Sequence, residues 1–176
     1  YEYNANTHLA ADDAPNFLRS MLNLYATDIN PGHGYTFIEH TTRGPPDKPF
    51  EEAAFLRRLR GMLVYEEGPD LWLARAVPRA WLEQGRTIAV MDAPTHFGTV
   101  SFEIRSDAEN GRIAATVVMP SRVPPGTVRL RLRHPRAAPI RGVTVDGKDW
   151  KDVDAAGETV RLRGAGTMSV DVRYGG

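Results

Sequence analysis

"GTVSFEIRSDAENGRIAATVVMP", Gly98–Pro120, is the stretch whose reading decides the fold. Val100, Phe102 and Ile104 alternate with Thr99, Ser101, Glu103 and Arg105. That period of two is the mark of a strand with one buried face. Asn110-Gly111 then offers the positive φ angles of a tight turn, and Ile113–Val118 continues as the returning strand. The segment reads as an antiparallel hairpin.

The same grammar extends in both directions. Downstream, "GTVRLRLRH" sends Val128, Leu130 and Leu132 one way and Arg129, Arg131 and Arg133 the other, and "IRGVTVDGKDW" turns at Asp146-Gly147. "ETVRLRG" and "TMSVDVRY" complete the run. Upstream, "RTIAVMD" is a strand, "PRAWLEQG" a short helical turn, and "MLVYEEGPDLWLA" a hairpin turning over Glu67–Asp70. About nine short strands over roughly 110 residues, without a helix for a βαβ crossover, predict an antiparallel β-sandwich. Val100, Phe102 and Ile104 should meet Val128, Leu130 and Leu132 in its core.

Before residue 61 the period is helical. Asp13 is an N-cap candidate with Pro15 in the first turn. Phe17, Leu18, Met21, Leu22, Tyr25 and Ile29 follow at three- and four-residue steps, and the helix should end near Asp28, before "NPGHG". A second helix is predicted from Phe50 to Arg60. Glu51 and Glu52 suit its start, and Arg57, Arg58 and Arg60 suit its end, through the helix dipole. Its apolar residues (Phe50, Ala53, Ala54, Phe55, Leu56 and Leu59) cover more than half its circumference, more than two helices can bury. The expected fold class is therefore α+β, with a two-helix segment over residues 1–61 and a sandwich over 62–176. The helices need a larger helical body or the sheets to cover them.

Composition narrows the function. The chain has no cysteine, which excludes disulfides, thiolate metal sites and cysteine nucleophiles. Its 22 basic and 22 acidic residues cancel, which argues against a nucleic-acid partner. No apolar run approaches the ~18 residues of a membrane span, and no signal-peptide pattern is present. Because the chain begins with Tyr, a longer precursor is expected. His8, His33, His40, His96 and His134 show neither HxxxH nor HExxH spacing, so no metal or other cofactor is expected.

The loop "GYTFIEHTTRGPP", Gly34–Pro46, sets Glu39-His40 among aromatic and hydroxyl residues between the two helices. A carboxylate beside an imidazole can serve acid–base chemistry where a loop lines a cleft. The same residues also suit an ordinary solvated connection. The Arg129, Arg131 and Arg133 row could bind an acidic sugar, but it reads first as the solvent face of a strand. Trp72, Trp81 and Trp150 could be sugar-stacking platforms, but packing is the first reading for each.

Several segments together resemble a family. "RGMLVYEEGPDLWLARAVPRAWLEQGRTIAVMDAPTHFGTVSFEIRS", Arg60–Ser106, is similar to the join between the last helices of an (α/α)6 toroid and the C-terminal β-domain in bacterial glycoside hydrolases related to α-L-rhamnosidases. "VTVDGKDW" resembles a late hairpin of those domains, and "YNANTHLAADDAPNFLRSMLNLYA" with "YTFIEH" resembles the last helical hairpins. The resemblance implies the C-terminal part of a longer enzyme, with most of the toroid before Tyr1 and a secreted or periplasmic location.

It further implies a carbohydrate substrate, with Glu39 and His40 at the catalytic loop and Tyr3, Asn4 and Arg43 toward the sugar. Glycoside hydrolysis generally uses two carboxylates ~5–9.5 Å apart, so the partner of Glu39 would come from the rest of the polypeptide or from a partner subunit. The isolated chain should then be inactive. Two other readings stay open. A non-catalytic module would bind carbohydrate or protein through exposed tryptophans on a sheet face. A polysaccharide lyase would use Tyr or His as base, with Arg43 neutralising a uronate.

Overall fold

The computed structural model describes residues 2–38 and 48–175. In order these form α1 (Glu2–Ala10), α2 (Ala14–Asp28), β1 (Ile29–Asn30), β2 (Thr36–Phe37) and α3 (Pro49–Leu63). Then follow β3 (Val64–Glu67), β4 (Asp70–Leu73), β5 (Thr87–Thr95), β6 (Gly98–Asp107), β7 (Arg112–Val118) and β8 (Thr127–Arg131). The chain closes with β9 (Ile140–Val145), β10 (Lys148–Asp149), β11 (Val153–Asp154), β12 (Thr159–Leu162) and β13 (Thr167–Tyr174). The fold class is α+β, as expected.

The α2 signals act as read. Asp13 Oδ1 accepts the Asn16 amide at 3.2 Å, and the helix stops at Asp28. α3 begins one residue before the expected start and runs on to Leu63. There are three helices among the described residues, not two. α1 escapes a periodicity reading because Asn4, Asn6, Thr7 and His8 are weak helix formers and, among its described side chains, only Ala5 and Leu9 are buried. Tertiary contact holds it instead. At Gly61 of α3 a Cβ would lie 2.7 Å from Leu9 Cδ2, so the missing side chain lets α1 approach closely. Tyr25 packs edge to face on Phe37 and Phe55 nearby, and those two rings are tilted on each other, with centroids 4.4–5.6 Å apart.

Two sheets share one core. The six-stranded sheet has the order β10-β9-β13-β7-β6-β5, and the five-stranded sheet has β11-β12-β8-β4-β3. Val100, Phe102 and Ile104 of the first and Val128, Leu130 and Leu132 beside the second are all fully or almost fully buried in that core. Two local readings are corrected. β4 pairs β8 in parallel, because the chain between them leaves to build β5–β7 and returns in the same direction. The β6–β7 hairpin pairs Asp107 with Arg112, leaving a 3-10 turn over Ala108–Asn110 before Gly111, and only Gly111 has positive φ (66°). The turn expected at Asp146-Gly147 is present, with positive φ at both residues.

The arginine row departs most from expectation. Arg131 and Arg133 are buried, not solvent-facing. In the sheet register Tyr65 stands beside Trp72, Trp72 beside Arg129, and Arg129 beside Arg161, so one polar-aromatic row crosses the five-stranded sheet. The α1–α2 turn lies against it. Arg131 donates to both Asp12 carboxylate oxygens at 2.7 Å, and Arg75 donates to Ala10 O at 3.1 Å and to Glu67 at 3.0 Å. Arg129 pairs with Asp70 at 2.6 Å. The guanidiniums of Arg75, Arg129 and Arg131 lie 4.7–5.3 Å from the Trp72 ring centroid, and the indole donates to Glu67 at 2.8 Å. Burial, reinforced by Arg79 and Arg131, pulls Arg133 down to about 10. A charged layer thus fastens the helices to the sheet.

Candidate functional site

Where β3 forms the edge of its sheet, the C-terminal half of α3 and one side of α1 leave a groove of about 310 Å3. Asn6, Leu9, Arg57, Arg60, Tyr65 and Glu66 line it with Gly61 and Val64. The Tyr65 ring is held in place by the Arg75 guanidinium, 4.5 Å from its centroid. The groove therefore sits directly on the charged layer.

Glu66 is the only carboxylate among the described residues of that lining. Its Oε2 bonds His96 Nδ1 and accepts the His96 amide at 3.2 Å, while Oε1 accepts from Arg60 at 3.3 Å. Arg60 also donates to Val64 O and Pro94 O. These bonds tie the end of α3 to β3 and to the β5–β6 turn, covering polar groups at the sheet edges. Burial alone would raise the Glu66 carboxyl, but the bonds and charge of His96, with help from Arg60, outweigh it and leave the carboxyl lowered. The groove's described lining offers a carboxylate, two guanidiniums, an amide and a phenol ring, groups that bind polar ligands.

The lowered Glu66 value has a pH consequence. A carboxyl depressed in the folded state stabilises fully above its ordinary value of 4.5, and that stability is lost as pH falls through the depressed value. Glu66→Gln should therefore flatten the acid limb of Tm against pH and leave the neutral limb nearly parallel to wild type. Melts from pH 3 to 7 would show it; an unchanged acid limb would mean the cluster contributes nothing to acid stability.

No family model and no curated protein matches this chain. The sequence-predicted site must therefore be judged on geometry. Glu39, His40 and Arg43 lie outside the described residues. Tyr3 falls within α1, with its side chain outside those described, and Asn4 is exposed on the same helix. Asn4 does not line the groove, whereas Asn6 does. The Glu66–His96 pair was missed because its members stand 30 residues apart and meet only through the fold. The available signal was His96 itself, a residue with polar capacity inside a hairpin turn, "APTHFG".

Two larger cavities, of about 640 and 600 Å3, flank the loop after β8. His134 organises that loop: Nδ1 accepts the amides of Arg136 and Ala138, so Nε2–H donates to Ala108 O at 3.1 Å. Tyr174 donates to Leu132 O, and burial pushes its hydroxyl well above the usual tyrosine range. Both side chains are spent on holding backbone. Among the described residues no cluster of three or more His, Asp or Glu could hold a metal, and no helix is long and apolar enough to cross a membrane.

Proposed function

We propose that this chain is the structural end of a carbohydrate-active enzyme, a glycoside hydrolase, in which the sandwich braces a helical catalytic body. The observation that carries this reading over a free-standing carbohydrate-binding module is the disposition of the tryptophans. Trp72 is buried beneath the α1–α2 turn, and the Trp150 indole donates to Arg161 O at 3.0 Å. Trp81, 42% exposed, belongs to a 3-10 turn and not to a sheet face. No tryptophan among the described residues stands as a flat platform on a sheet. Over β3, β4 and β8 the face of the five-stranded sheet meets α3 and the α1–α2 turn.

On this reading the chain between α2 and α3 belongs to a sugar pocket completed by the rest of the polypeptide, and the isolated chain cleaves no glycoside. The Glu39-His40 loop would supply one of the two carboxylates. Glu39→Gln in the full-length parent should lower kcat by roughly 100-fold or more if Glu39 moves a proton. A binding role would appear chiefly as a higher KM. Unchanged kinetics would return that loop to a solvated connection and remove it from the catalytic site.

A further inference from the structure

The α1–α3–β3 groove carries chemistry that the bracing role does not use. Among the described residues the Arg57 guanidinium has no ion-pair or hydrogen-bond partner, although it lines the groove. The Asn6 amide is likewise uncommitted. Among the described lining residues two guanidiniums, Arg57 and Arg60, stand against one carboxylate, so that lining is locally cationic in a protein of zero net charge. Arg60 is committed to Glu66, Val64 O and Pro94 O, which leaves Arg57 as the cation free to bind among the described lining residues.

The remaining walls favour a particular ligand. Tyr65, Leu9 and Val64 give an apolar and aromatic side. Asn6 can donate and accept, and Glu66, fixed by His96 and Arg60, is a rigid acceptor for hydroxyl groups. A small inorganic anion would use only Arg57, and a neutral sugar would leave it idle. We propose that this groove binds a saccharide unit bearing a carboxylate, with Arg57 pairing the carboxylate, Asn6 and Glu66 bonding hydroxyls, and Tyr65 supplying the apolar wall. The volume, about 310 Å3, suits one small ligand.

The choice of a saccharide rests on the carbohydrate reading above, but the groove can fail independently of it, because Glu39→Gln kinetics reports on a different loop. The test uses the chain in backbone-amide NMR titrations with glucuronate, glucose and acetate. Glucuronate should give saturable shifts at Asn6, Arg57 and Tyr65, with glucose and acetate each weaker. Arg57→Gln should weaken glucuronate by about tenfold, the size of one charge-assisted hydrogen bond. It should leave glucose unaffected, while Arg57→Lys keeps most of the affinity. Absence of glucuronate binding, shifts confined to other residues, or full affinity in Arg57→Gln would overturn the site. Acetate binding as tightly as glucuronate would overturn the saccharide assignment.

Discussion

Phe102→Ala is expected to destabilise the protein by about 3–5 kcal/mol, the range for removing a large aromatic side chain from a packed core. Phe102 is 2% exposed in the middle of β6, with Val100 and Ile104 on the same face. Its strand is paired on both sides, by β5 and β7. Such a site cannot collapse without moving two neighbours, so most of the cavity should persist. Urea melts would measure the change, with an unaltered m-value if unfolding stays two-state. A loss under about 1 kcal/mol would mean that the Phe102 site relaxes as a surface position does.

Asp12→Asn should cost about 2–3 kcal/mol. The change keeps side-chain size, and Asn tolerates the left-handed backbone that Asp12 adopts, with φ at 59°. What disappears is the negative charge shared by Arg131 and Arg75, whose side chains are 8% and 2% exposed. Breaking a fully buried pair by removing one partner costs about 3–5 kcal/mol. The lower figure follows because the Asp12 side chain is 36% exposed and water screens part of the loss. Asp149→Asn is the control: its pair with Lys151 has both side chains more than 80% exposed, and its loss should not be measurable. Equal melts for the two variants would show that the charged layer does not fasten the helices.

The legible parts of this fold were those written in local chemistry. Asp13 and Pro15 announce α2, and the alternation around Phe102 announces a strand whatever lies beyond it. Val128, Leu130 and Leu132 were placed inward for the same reason. Arg131 and Arg133 depart from the solvent-face reading because a period of two says which residues share a face, not whether another layer covers it. The covering group, Asp12, is 119 residues from Arg131. A hint was present in "DLWLAR": a buried strand whose outward residues are Asp70 and Trp72, a poor solvent face but a good partner for guanidiniums. The parallel β4–β8 pair and the Glu66–His96 contact likewise depend on topology. Of the site expected from the resemblance, Asn4 can be placed with its side chain, and it is exposed on α1.

If the sandwich braces a larger helical body, as proposed, the helices fastened to it on one side meet that body on the other. Leu22, Tyr35, Phe50 and Leu56 of this segment are 57–71% exposed, although each is large and apolar. Apolar surface of this kind marks contact sites when it gathers into patches. Sedimentation velocity across a concentration series, with a hydrophobic dye in parallel, tests this directly. Self-association or strong dye binding, reduced by Phe50→Ser with Leu56→Ser, is the predicted result. A single monomeric species at every concentration, with no dye enhancement, would contradict it.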